Sequence, residues 1–120
     1  MPKQILLVDD TPSQIDRVRN MLTPLGADIS DVANGQEALD FLSTRHPDLI
    51  LMDIVMPVMD GFAATRKIKA NANTKDIPVI MLSTKNEQTD HVWAQLQGAE
   101  KLISKPIESE YLVAEVQKWI

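Results

Sequence analysis

The chain has 120 residues, 44% of them hydrophobic and 24% charged, the size and balance of one soluble domain that covers a sheet with helices rather than of two folding units or a disordered chain. Its formal net charge of −5 would repel a nucleic-acid backbone, and with no cysteine there is no disulfide, thiolate metal site or cysteine nucleophile. Met1-Pro2-Lys3-Gln4 lacks a signal-peptide pattern and no apolar run approaches membrane-spanning length, so a cytoplasmic protein that contacts neither membrane nor nucleic acid is expected.

Ile5-Leu6-Leu7-Val8 is a continuous apolar run, which predicts a central strand, and it stops at Asp9-Asp10. Thr11-Pro12 supplies an N-cap and a proline at the first helical position. Ile15, Val18, Leu22 and Leu25 follow at helical spacing, and Gly26 is the expected C-terminal cap. Residues 27 to 33 are more polar, with Ile29 and Val32 as apolar members, and predict an edge strand. Asn34-Gly35 turns the chain into a second helix with Ala38, Leu39 and Leu42 inward, closed by His46-Pro47.

Leu49-Ile50-Leu51-Met52 predicts a strand buried on both faces, and it ends abruptly in Asp53. Met56-Pro57 fixes a bend, because proline locks its own φ and pushes the preceding residue out of helical geometry, and Asp60-Gly61 opens a third helix carrying Phe62, Thr65 and Ile68 on one side. After a polar loop over 71–76, residues 78–82 form the next strand, ending at Ser83-Thr84. The fourth helix, roughly 86–97, has its stripe through Val92 and Leu96 and stops at Gly98. The last strand, 101–104, ends at Lys105-Pro106, and the closing helix uses Leu112, Val116 and Trp119 or Ile120.

Strict alternation of five strands and five helices predicts a single α/β domain with a parallel, doubly wound sheet and right-handed crossovers. Asp9, Asp10, Asp53, Ser83 and Lys105 each follow or end a strand. In a parallel sheet those ends share one rim, so the five residues converge. Clustered carboxylates repel and call for a cation. Oxygen donors without histidine or sulfur favour a hard ion such as Mg²⁺. With Ser83 and Lys105 alongside, the cluster suits a phosphoryl group, and Asp53 is the candidate nucleophile because a carboxylate can form an acyl phosphate.

These residues, together with Met56-Pro57-Val58-Met59-Asp60-Gly61 and Lys105-Pro106, resemble the receiver domain of bacterial two-component response regulators along the whole chain. The resemblance implies a CheY-like, flavodoxin-like three-layer sandwich with strand order 2-1-3-4-5. It implies that Asp53 accepts phosphate from a phosphohistidine on a sensor kinase. Asp10, Asp53 and the backbone carbonyl of Val55 would then ligate Mg²⁺, with Asp9 acting through water. Lys105 would pair with the phosphoryl group and join Pro106 through a cis peptide. Ser83, followed by Thr84, would reach the phosphoryl oxygens and repack the face of the fourth helix, fifth strand and fifth helix.

Receivers usually carry an aromatic residue three before the lysine, and here that position is Leu102. The switch is therefore expected to alter this surface differently or less. Val55 and Lys85 lie where side chains tune phosphoryl lifetime. An apolar Val55 cannot orient a water, so slow self-dephosphorylation is expected. Segments such as Met52 to Pro57, Thr84-Lys85 and Val92-Trp93 are similar to the stand-alone, PilH-type receivers of the chemotaxis-like system controlling type IV pili and twitching motility.

His46 and His91 have no partner at ligand spacing and read as surface residues. Arg66, Lys67 and Lys69 read as a solvated helix face. Trp93 reads equally as packing and as partner contact, and with His91 it marks a candidate partner face. The expected role is a monomeric switch phosphorylated by a CheA-like histidine kinase. A phosphate sink or relay intermediate stands beside it. A Mg²⁺-dependent phosphohydrolase is the alternative of a different class, although the chain has no room for a substrate cap and Asp53 is followed by Ile54-Val55-Met56 rather than a second acid.

Overall fold

The computed structural model describes residues 2–84 and 87–120. Five strands and five α-helices alternate: β1 (Gln4–Val8), α1 (Pro12–Met21), β2 (Asp28–Val32), α2 (Gly35–Leu42), β3 (Leu49–Asp53), α3 (Gly61–Ala70), β4 (Val79–Ser83), α4 (Gln88–Leu96), β5 (Lys101–Ser104) and α5 (Ser109–Gln117). The strands form one parallel sheet in the order β2-β1-β3-β4-β5, the doubly wound arrangement expected from the alternation. The polar second strand lies at the edge. The apolar runs of β1, β3 and β4 occupy the interior positions, where both faces are covered.

Successive side chains of a strand point to opposite faces, and the two cores divide accordingly. Leu6, Val8, Ile50, Met52, Val79, Met81 and Leu102 pack with Ala38, Leu42, Ala64, Ile68 and Ala94 from α2, α3 and α4. Ile5, Leu7, Leu49, Leu51, Ile80, Leu82 and Ile103 pack with Val18, Leu22, Leu112 and Val116 from the α1 and α5 side. The result is a three-layer sandwich. At the end of the sheet away from the acidic residues, Lys69 Nζ donates to the carbonyls of Ile77 at 2.7 Å and Lys75 at 3.2 Å and pairs with Glu100. Glu100 in turn accepts from the backbone N–H of Val79 at 2.6 Å. Lys69 therefore ties α3 to the starts of β4 and β5 rather than standing on a solvated face.

Several elements differ from the expectation drawn from periodicity. The first helix ends at Met21, and a single 3₁₀ turn over Thr23–Leu25 carries the chain to Gly26, whose φ is 63°. Pro24 has no N–H to donate and its ring crowds the preceding turn, so an α-helix cannot run through it. Thr11 holds the N-cap position without a side-chain cap. Asn34 caps α2 by accepting from the Glu37 N–H, so Asn34-Gly35 opens the helix instead of making a separate turn. That helix is finished at Leu42, before His46-Pro47.

The expected inward stripe of α4 is overturned. Val92 is 50% and Leu96 69% exposed, while Ala94 and Gln97 are buried. The small Ala94 side lets the helix lie close against the sheet, and the larger apolar residues are left outside. Asn86, the expected start of this helix, and Lys85 lie outside the described residues. Trp93 is half-exposed and meets Phe62 of α3 edge-on, with centroids 6.4 Å apart. Its position thus has both a packing and an exposed component. The fifth helix stops at Gln117 and Trp119 is exposed.

Candidate functional site

Sheet register builds the site. Val8 is paired with Met52, Met52 with Met81, and Met81 with Leu102. The residues just beyond these rows, Asp9, Asp53, Ser83 and Lys105, are therefore delivered to the same C-terminal rim. Carboxylate oxygens of Asp9, Asp10 and Asp53 all lie within 4.8 Å of one another. Lys105 Nζ donates to Asp53 Oδ1 at 3.3 Å and to Asp9 Oδ2 at 3.5 Å. Four residues drawn from three strand ends thus meet in one cluster.

The local chemistry orients each group. Asp9 is 3% exposed, and its Oδ1 accepts from the Thr11 N–H at 3.0 Å, which fixes the carboxylate beneath the start of α1. Asp10 is exposed, with Oδ1 3.4 Å from the Thr11 hydroxyl. Ser83 is buried and Thr84 exposed. The Lys105–Pro106 peptide is cis, as the resemblance implied. Leu102 is buried, and Val55 is 58% exposed with an apolar side chain at the rim.

Burial is the largest influence on the Asp53 carboxyl and pushes its pKa above the ordinary value of 3.8; the Lys105 ammonium opposes this and the Asp9 carboxylate adds to it. Three carboxylates facing one ammonium leave an excess of negative charge in a partly dry place. The donor set is all oxygen, with no imidazole or thiolate, and fits a hard divalent cation that retains several waters. Asp9, Asp10 and Asp53 are the residues that could hold it. The same oxygens and the Lys105 ammonium can face a phosphoryl group on Asp53.

The loop from Asp53 to Gly61 is held by contacts that periodicity does not reveal. The N–H of Gly61 donates to the Ile54 carbonyl at 2.8 Å, and that of Gly35 to the Met59 carbonyl at 3.1 Å. A Cβ at Gly61 would sit 2.1 Å from the Asp53 carbonyl oxygen, and one at Gly35 would lie 2.8 Å from the Met59 oxygen. Val58 has a φ of 68°, and the Met59 N–H closes a tight turn on the Pro57 carbonyl at 2.7 Å. The only sequence signal for these contacts is the glycines themselves. Asp60, expected at the helix entrance, accepts from the Ala63 N–H at 2.8 Å.

His46 and His91 are exposed and take no part in the cluster. His91 and Trp93 both lie on α4, away from the acidic residues.

The response regulator receiver domain family matches the chain over residues 5–117. Protein PilH of Pseudomonas aeruginosa is 40% identical over 92% of this chain and 91% of its own length. Response regulator PleD of Caulobacter vibrioides is 33% identical over 98% of the chain, which spans only 26% of that longer relative. Among solved structures, the receiver domain of sensor histidine kinase PA1611 from Pseudomonas aeruginosa, described with a magnesium ion coordinated in its active site cleft, is 34% identical with a TM-score of 0.90, over 99% of this chain and 98% of that one.

Proposed function

The chain belongs to the response regulator receiver domain family, and from that premise we propose that it is a stand-alone switch that accepts a phosphoryl group on Asp53 from a CheA-like histidine kinase. A receiver domain is a phosphoacceptor in signalling rather than an enzyme acting on a separate product. The observation that carries the assignment to Asp53 is the Lys105 ammonium 3.3 Å from its Oδ1, with Asp9 and Asp10 in the same cluster.

In this reading an Asp53 oxygen forms the new bond to phosphorus while the phosphorus–nitrogen bond to the kinase histidine breaks, and the imidazole keeps the electron pair. Asp53 is partly shielded from water, which favours attack by the carboxylate over solvation of its charge. Asp9, Asp10, Asp53 and the Val55 carbonyl would hold Mg²⁺, which offsets the charge of the phosphoryl oxygens. Lys105 places its ammonium where that charge arrives, and Ser83 supplies a hydroxyl at the adjoining strand end.

The resemblance to PilH supports a place in a type IV pilus chemotaxis-like system controlling twitching motility, in the cytoplasm, with output by protein binding. Leu102 favours a second reading as a phosphate sink. It is 5% exposed and has no ring to rotate between the core and the α4–β5–α5 surface. The exposed, apolar Val55 supports slow self-dephosphorylation, and Val55→Asn is expected to shorten the phosphoryl half-life in a phosphate-release time course. An unchanged half-life would remove that role.

The deciding experiment incubates the chain with a phosphorylated CheA-like kinase and Mg²⁺, beside Asp53→Ala. Transfer to the parent and none to the variant is expected. Equal labelling of both would overturn the assignment. Proteins retained only by the phosphorylated form would mark a switch, and rapid draining of the kinase without such a partner would mark a sink.

A further inference from the structure

Beside the phosphoacceptor rim lies a second feature that the family assignment does not use. A cavity of about 270 Å³ is lined by Gln14 and Arg17 of α1, by Thr84 after β4 and by Lys105, Pro106 and Ile107 after β5. Gln14 and Arg17 are three residues apart on a helix and so share a face. Lys105 belongs to both places, since it lines this cavity and its ammonium lies 3.3 Å from Asp53. The cavity therefore adjoins the position where a phosphoryl donor approaches.

Its chemistry is that of an anion site. Among the described residues, the Arg17 guanidinium has no ion pair, and the side chains of Gln14 and Thr84 have no hydrogen-bond partner. An unpaired arginine on a helix face is by itself ordinary. Here it comes with an amide, a hydroxyl and the second cation Lys105 around one half-open cavity, and no carboxylate is among the described residues that line it. The cavity is small and half open to solvent, which suits a small anion with its hydration and not a helix or a loop.

We propose that this cavity receives the departing carboxylate of small acyl-phosphate donors, and that Arg17, aided by Gln14, makes the chain favour donors whose leaving group carries negative charge. The proposal rests on Asp53 being the phosphoacceptor. An Asp53 oxygen forms a bond to phosphorus as the bond from phosphorus to the acyl oxygen breaks. That oxygen leaves with the bonding pair as a carboxylate and needs no proton. The carboxylates of Asp9 and Asp10 disfavour an anionic donor, and the Arg17 guanidinium offsets that repulsion on the leaving-group side. With phosphoramidate the phosphorus–nitrogen bond breaks and the already protonated nitrogen leaves as neutral ammonia, which offers Arg17 no charge to hold.

The test measures phosphorylation of the whole chain by acetyl phosphate and by phosphoramidate with Mg²⁺ present, using intact mass as the readout. In Arg17→Met the ratio of the acetyl phosphate rate to the phosphoramidate rate is expected to fall about tenfold, the scale of one hydrogen bond to a charged group. Arg17→Lys should keep most of the ratio because the charge remains. Titration of the metal-free protein with acetate should shift the Gln14 side-chain amide and Arg17 Nε–H resonances, and the Gln14 shift should vanish in Arg17→Met. A ratio unchanged within about twofold of the parent, or an acetate titration that leaves Gln14 unmoved, overturns the proposal while leaving Asp53 as acceptor. A parent that neither small donor phosphorylates also overturns this proposal, while Asp53 as acceptor is decided by the kinase experiment with Asp53→Ala.

Discussion

Asp53 stands where its own burial raises its pKa, with Lys105 acting against that shift and Asp9 reinforcing it. A carboxyl whose folded value lies above its unfolded value binds its proton more tightly in the folded chain. Its contribution to stability is therefore fully present below the unfolded value and is lost as pH rises through the folded one. Asp53→Asn removes that titration. In metal-free buffer the variant is expected to melt at a higher temperature than the parent at pH 7, and the advantage should disappear below the ordinary value of 3.8. Thermal unfolding across pH checks this, and a variant less stable than the parent at pH 7 would contradict it. Val58 is a second residue at odds with its surroundings, a β-branched side chain at a φ of 68° in an exposed turn. Glycine adopts that conformation without a Cβ clash, so Val58→Gly is expected to stabilise by about 1 kcal/mol in urea unfolding, after the entropy cost of glycine is deducted.

The connection between β3 and α3 shows how an element depends on atoms that have no sequence period. The Gly61 Cα lies so close to the Asp53 carbonyl that a methyl group there would be 2.1 Å from the oxygen. Because the obstacle is backbone, Gly61→Ala has to move either α3 or the strand end that presents Asp53. A loss of about 3 kcal/mol or more is expected in equilibrium unfolding, with phosphorylation of Asp53 impaired in the folded fraction. Helix α4 makes a related point in the opposite direction. Spacing assigns Val92 and Leu96 to the core, yet a short helix of modest apolar content has more than one face that it can bury. The β5 side accepts the small Ala94. Helix α1 is shorter than its apolar spacing predicts for a local reason visible in the chain, since Pro24 lies inside the stretch of helical period.

At the scale of the molecule, four ionisable side chains from three separate strand ends share one small space, and the repulsion among the carboxylates opposes folding until a cation joins them. On the proposed reading Mg²⁺ would bind the folded chain, where the carboxylates are already assembled, and so would stabilise it by linkage. At one hundred times its dissociation constant the gain is about 2.7 kcal/mol, or roughly 11 °C in melting temperature for a domain of this size. Asp10→Ala should lose most of that shift, and Ca²⁺-free, Mg²⁺-titrated thermal denaturation of both proteins measures it. An equal shift in parent and variant would place the ion elsewhere.

The alternation of apolar runs with helical periods, and the polar residues that end those runs, determined the parallel doubly wound sheet and the rim on which Asp9, Asp10, Asp53, Ser83 and Lys105 lie. Both are properties of neighbouring residues: a strand buried on two faces must be apolar throughout, and the residue that succeeds it must stand at its tip. Tertiary structure alone decided which side of α4 is buried, why glycine is required at Gly35 and Gly61, that Lys69 is a tie rather than a solvated charge, and that Gln14 and Arg17 share a cavity with Lys105. Each of these depends on the distance between segments far apart along the chain, and the period of one segment carries no information about what another places against it.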